Sequence, residues 1–418
     1  MRKMLIIILF SLIFFHTSSS ANKVLIPMDE TQSDHLKAYG LVYWSLSKGY
    51  NVEWALNYRD GSFLLEPFSG LSEKALQMNV TIEKEVDSLN IYRTVENNNM
   101  EIIYLEKAPK IAVYAPPYEE PWDDAVRLAL EYAEIPHDII YDQDIISGKL
   151  FQYDWLHLHH EDFTGQFGKF YANYGNTNWY VRQVLYNQNI AEKNGFPDVP
   201  ALKKYIATRI REFIENGGFL FAMCSATDTL DIALSALNTD IVDSVFDGSP
   251  PEPHCNEKLN YNNTLAFTNF TIITNPLVYE HSDIDTPRSL NFSSLPTPKF
   301  YTLFEFSAKS DPIPTLLTQC HHDKLPEFMG QCTAFRIDKI KKDVVILARV
   351  DGYKEAKYIY GVLGEGSFTF FAGHDPEDYQ HLVGEVPTDL SKHPNSPGYR
   401  LILNNILFPA ARFKELKT

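Results

Sequence analysis

From residue 110 onward, short apolar runs alternate with stretches whose apolar positions recur at helical spacing. Residues 111–114, 138–141, 153–159 and 219–223 read as strands. Residues 122–134, 201–216 and 228–237 read as amphipathic helices, the second stopped by Gly217-Gly218. Strands separated by helices predict right-handed βαβ units, hence an α/β fold on a parallel sheet with ligands at the carboxyl ends of its strands. Strand patterns return at 300–306, 315–318, 344–350 and 367–372, before a closing helix at 399–411. Ahead of residue 110 lie a strand at 23–27 and a helix at 32–49. A hairpin follows, pairing 51–56 with 62–65 around Arg59-Asp60-Gly61, then a mixed helical stretch at 71–88 and a strand at 100–105. Residues 22–106 thus predict a small N-terminal α/β domain, with the boundary at Ala108-Pro109. The domain from 107 to 418 carries a Pro-, Asn- and Ser-rich insertion around 247–298.

The first residues follow a different pattern. Arg2 and Lys3 precede an apolar run at 5–15, and Ser18-Ser19-Ser20-Ala21 follows it. A charged start, a short apolar core and small residues describe a signal peptide over 1–21, so the mature chain is expected to be exported, periplasmic or extracellular. No later stretch approaches the ~20 apolar residues of a membrane span, so no stable membrane insertion is expected after cleavage. With 44% hydrophobic residues and 13% aromatics, the chain can bury a large core. A formal net charge of −17 repels phosphates and makes nucleic acid an unsuitable partner. Of the four cysteines, Cys320 and Cys332 flank a short segment with Pro326 and Gly330, and are the expected disulfide pair.

Cys224 falls where the 219–223 strand runs into a helix, with Ala222 and Ala226 two residues to either side. A sharp strand-to-helix turn needs such small flanks, and it places the thiol at a helix N-terminus that favours thiolate. A cysteine nucleophile needs a base and a group that orients the base. His374 follows a strand and Gly373 at the same sheet edge, and Glu377 or Asp375 could orient it. The densest set of potential ligands is His157, His159, His160, Glu161 and Asp162, continued by a loop through Gln166. No P-loop, dinucleotide fingerprint or zincin helix is present, and no cofactor is predicted. A divalent ion is possible at His157, His159 and Glu161, where imidazole and carboxylate meet. The segment 27–35 and Trp122-Asp123-Asp124 read as helix caps.

From residue 110 to its end the chain resembles the class I glutamine amidotransferase-like superfamily. Cys224 matches the position of that superfamily's nucleophile, and His374-Asp375-Pro376-Glu377 resembles its His-Pro-Glu element with one residue inserted. The resemblance implies a flavodoxin-like parallel sheet with Cys224 as nucleophile, His374 as base and Glu377 as orienting group. Over its full length the chain is similar to a secreted bacterial family commonly labelled asparagine synthetase B, through residues 27–32, 159–165 and 222–228. It has neither the Ser-Gly-Gly-x-Asp-Ser loop nor the N-terminal cysteine of ATP-dependent asparagine synthetases, so that synthesis is not expected. The combined expectation is an exported, glutamine amidotransferase-like cysteine hydrolase or amidase acting on a small amide or ester. The alternative is a non-catalytic protein holding a small molecule, glycan, peptide or metal in the same cleft through His159, His160, Glu161, Asp162, Gln166 and Asp375.

Overall fold

The computed structural model describes residues 22–286, 299–380 and 382–413. The proposed signal peptide at 1–21 lies outside the described residues, as does part of the 247–298 insertion. Two sheets organise the chain. The first is antiparallel throughout, ordered Ala411–Arg412, Glu101–Leu105, Val52–Leu56, Ser62–Leu65, Lys23–Ile26, Glu83–Val86. Its strands come from the first 105 residues except for Ala411–Arg412, which pairs with Glu101–Leu105. The mixed helical stretch expected at 71–88 is a helix only over Leu71–Gln77; Glu83–Val86 is an edge strand, and Asp87 caps a further helix, Ser88–Asn97.

The second sheet has ten strands and is mixed, which overturns the expected flavodoxin-like parallel sheet. Asp138–Ile140, Ile111–Tyr114, Trp155–Leu158, Phe219–Met223 and Gly366–Phe371 lie side by side and pair in parallel. Beyond Gly366–Phe371 every pairing is antiparallel, through Glu355–Leu363, Val345–Val350, Phe300–Leu303 and Lys324–Pro326. The reason is connection length. Val345–Val350, Glu355–Leu363 and Gly366–Phe371 are joined by turns of a few residues at Gly352 and Gly364, too short for the crossover that parallel pairing requires. Residues 315–318, read as a strand, belong to the helix Pro312–Leu317, whose prolines fall in its first turn.

One core cluster joins Trp54 and Phe63 of the amino-terminal sheet and Tyr39 of the helix His35–Ser47 to Phe221, Tyr358, Phe371 and the helix Pro397–Leu407. A second packs against the other face, around Tyr114, Phe163, Ile206, Leu220 and Phe370. Helix Pro397–Leu407 carries Arg400, fully buried, which donates to the carbonyls of Met28 and Asp60 and to the Tyr39 hydroxyl, and lies 3.2 Å from His321 Nδ1. All four cysteines are free thiols. The expected Cys320–Cys332 bridge is absent because Cys320 packs against the first cluster while Cys332 is buried in the second. Among the described residues no helix is long and apolar enough to cross a membrane.

Candidate functional site

Cys224 closes the strand Phe219–Met223 and precedes the helix Ala226–Ser235 with φ of +50°, a left-handed backbone that non-glycine residues rarely adopt. Its N–H donates to Gly373 O at 3.1 Å, stapling the turn to the neighbouring strand end. The thiol accepts from the Gln331 N–H at 3.2 Å, and the Ser225 and Cys332 amides also face it. Burial nevertheless pushes the thiol up to about 11, so it is a neutral S–H near pH 7. The loop that supplies those amides is held close by Gly330. A Cβ there would fall 2.9 Å from the backbone of Gly373 and His374.

His374 lines the same cleft as Cys224, but its ring nitrogens serve other partners. Nδ1 faces His159 Nε2 at 3.2 Å, and Nε2 donates to the Asp123 carbonyl at 3.0 Å, with the Asp123 carboxylate at 3.6 Å. Glu377, expected to orient this imidazole, pairs instead with His393 Nδ1 at 3.0 Å. Asp375 is fully buried, accepting from the Tyr399 hydroxyl and the Glu377 N–H, both at 2.8 Å. Cysteine and histidine share a cleft, then, while the proposed Cys–His–Glu relay is not assembled. The inserted residue in His374-Asp375-Pro376-Glu377 carries the glutamate past the imidazole towards the closing helix.

What His374 does join is a buried chain of imidazoles and carboxylates. His157 Nδ1 donates to Phe221 O at 3.1 Å, and its Nε2 lies 3.2 Å from Asp124 Oδ1. Asp124 Oδ1 also faces His159 Nδ1 at 3.3 Å, and it caps helix Ala125–Tyr132 by accepting from the Val126 and Arg127 amides. His160 Nε2 lies 2.8 Å from Glu120 Oε2, and Glu161 accepts the His159 N–H at 3.0 Å. Burial drives both His159 and His374 down to about 4, so both are neutral near pH 7. Burial also raises Glu120 to about 8 and lifts Glu161 well above the usual carboxyl range. At Asp124 burial works in the same direction, yet His157 and His159 hold the carboxyl well below its ordinary value.

These groups can hold a metal ion. The ligand atoms of His159, His160 and His374 lie within 4.8 Å of one another, as do those of Asp124, His157 and His159 and those of Glu120, His160 and Glu161. His157 and Glu161 were therefore expected near metal chemistry, and they stand beside the convergence point. Asp123, Asp124 and Glu120 escaped the sequence reading because capping explains an Asp pair before a helix. Their signal was the carboxylates preceding a helix in a chain that also carries His-x-His-His.

Asp162 and Gln166 are not part of the cleft lining. Asp162 folds its own loop, accepting from the amides of Thr164, Gln166 and Gly168 and from the Thr164 hydroxyl. Gln166 donates to Thr164 Oγ1 at 3.0 Å. Lys169 then ties this loop to the carbonyls of Ile273 and Glu280. The cleft has a volume of about 320 Å³, with His160, His374 and Cys224 in its lining and Trp122, Phe170, Tyr174 and Tyr279 as its aromatic wall.

No family model matches the chain, and no curated protein matches it. Among solved structures it is similar to the cytoplasmic protein STM3548 from Salmonella typhimurium, at 10% identity over 73% of this chain and 100% of that one, with a TM-score of 0.37. The cytoplasmic protein STM1381 from Salmonella typhimurium LT2 gives 13% identity, 72% and 100% coverage and a TM-score of 0.36. A beta-galactosidase from Bacillus circulans sp. alkalophilus gives 12% identity, 69% and 31% coverage and a TM-score of 0.25. Likenesses this distant place the chain in no family, and its chemistry has to be argued from its own residues.

Proposed function

We propose that this protein binds a divalent metal ion, with zinc the best match, on His159, His160 and His374, and that it uses the ion to hydrolyse a small acyl compound in the adjoining cleft. One observation carries the reading. The His374 Nε2–H is donated to the Asp123 carbonyl, which can only accept, while His159 Nδ1 lies 3.3 Å from both Asp124 Oδ1 and His157 Nε2. The facing nitrogens, His159 Nε2 and His374 Nδ1, stand 3.2 Å apart, and in the tautomer that gives the His159 Nδ1 proton to Asp124 both turn lone pairs to the gap. Two opposed lone pairs in a buried site repel unless a cation lies between them. An ion at about 2.05 Å from each nitrogen would subtend roughly 103°, close to the tetrahedral angle that zinc adopts.

The surroundings fit the same ion. A carboxylate behind a ligating histidine fixes its tautomer and raises its basicity, and Asp124 stands in that position behind His159, with the Glu120 carboxyl group 2.8 Å from His160 Nε2. Three imidazoles leave a fourth position for water or substrate, and two of the three, His160 and His374, line the cleft. A bound divalent ion supplies a Lewis acid and a water of lowered pKa. Elemental analysis of untagged protein grown with zinc is expected to give about one equivalent per chain. Protein that stays metal-free after zinc loading and desalting would overturn the reading.

A second reading keeps Cys224 as the attacking group, favoured by its +50° φ and by the amides around its sulfur. Thiol reactivity separates the two readings. With the thiol near 11, iodoacetamide alkylation of Cys224 is slow at pH 7 and rises about tenfold per pH unit up to roughly pH 10. Peptide mass mapping checks this. Fast labelling at pH 7 would instead favour the cysteine mechanism. Export is part of the proposal too, and rests on Arg2, Lys3 and the apolar run at 5–15. Mass spectrometry of natively produced protein is expected to find a mature terminus near Asn22.

A further inference from the structure

Resting on the metal reading, we infer that the cleft selects a small ligand whose metal-binding group reaches His160 and His374 while an uncharged ring lies against the aromatic wall. Trp122 anchors that wall. It stacks on Phe170 at 5.1 Å and meets the His160 ring edge-on at 5.1 Å, so the wall begins at the ligand set itself. Trp179 braces it from behind, edge-on to Trp122 at 5.2 Å and 5.3 Å from Tyr174. Tyr279 closes the opposite side, 6.0 Å from Phe170, with its phenol end buried near Cys224 and its outer edge exposed. Rings packed in this way hold a rigid face, and such faces recognise the planes of aromatic or saturated rings.

Charge narrows the class further. No Lys, Arg, Asp or Glu lines the cleft among the described residues; its polar lining away from the histidines is Asn173, Gln331 and Gln380. Gln331 spends its amide N–H on Gly168 O at 2.7 Å. A phosphate, sulfate or carboxylate on the far end of the ligand would therefore be desolvated with no cationic partner. A volume of about 320 Å³ admits one ring and a short acyl or amide group, and excludes polymers.

Three hydroxamates test this on the zinc-loaded full chain by isothermal titration. Benzohydroxamate carries a ring, acetohydroxamate lacks one, and 4-carboxybenzohydroxamate adds a distal charge. Benzohydroxamate is expected to bind at least about tenfold more tightly than acetohydroxamate, and the carboxylated form to lose about tenfold. Tyr279→Ala, at a half-exposed side chain, is expected to bring the benzohydroxamate-to-acetohydroxamate ratio towards one. Equal affinities for the first two probes, or a preference for the charged one, would overturn the ring-selective cleft and leave the metal site standing. A chain that retains no zinc and binds none of the three would overturn the metal reading and this inference together.

Discussion

His159→Ala is expected to weaken zinc binding by more than about 100-fold, with His374→Ala equal to it within a small factor. The two imidazoles face each other at 3.2 Å, and losing either leaves only the other and His160 of the three-histidine set. Asp124→Asn is a subtler test. It keeps the size of the side chain and part of the helix cap, but the amide cannot match the carboxylate that fixes the His159 tautomer. A loss of about 10–100-fold in affinity is expected, with the fold intact. His393→Ala removes the partner of Glu377 rather than a ligand, and zinc affinity is expected to stay at the wild-type value. Competition against a chromophoric chelator measures all four. Should the His159 variant bind zinc as wild type does, the ion lies elsewhere, and the neighbouring set Glu120, His160 and Glu161 becomes the first alternative.

Arg400→Met is expected to be the most destabilising single change away from the site, by about 3–5 kcal/mol. The guanidinium is fully buried and bridges segments that lie more than three hundred residues apart in the chain: Met28, Tyr39 and Asp60 on one side, the closing helix on the other. Methionine fills much of the volume but leaves the Asp60 carbonyl without its donor and Met28 O with only His35 Nε2, and a buried unpaired acceptor costs about 1–3 kcal/mol. Arg400→Lys keeps the charge, but one ammonium cannot span the same fork, so less than half of the loss is expected to return. Urea unfolding followed by tryptophan fluorescence reads the effect as a midpoint lowered by more than about 1 M. An unchanged midpoint would mean that the amino-terminal sheet docks without this hub.

Several parts of this architecture can be read directly from residues. The parallel strands announce themselves as short apolar runs between amphipathic helices, since burial on both faces leaves no polar alternation. The turn at Cys224 is legible from Ala222 and Ala226, because only small flanks pack at such a bend. In the antiparallel half, 300–306 and 344–350 read as strands but Glu355–Leu363 did not: it has Lys357 and Glu355 among its buried residues, and an apolar count passes over it. Lys357 is tolerated there because it donates to the carbonyls of Phe328 and Thr333. At the site, Cys224 and His374 were placed in one cleft by topology alone. Which nitrogen of His374 faces what depends on tertiary contacts, and a motif match to His-Pro-Glu carries none of that information. Asp123 and Asp124 show the same limit, since one carboxylate can cap a helix and hold an imidazole at once.

The pairing of Ala411–Arg412 with Glu101–Leu105 sets the order in which the molecule can be assembled. The other strands of the first sheet are made early in synthesis, but its edge along Glu101–Leu105 stays open until residues 411–412 emerge. Sequence separations of this size give a high contact order, and such chains fold slowly and late. A product cut short before residue 411 would present Glu101–Leu105 as an unpaired edge, a template for another chain. Closure of the first sheet is thus coupled to the arrival of a segment more than three hundred residues further along the chain.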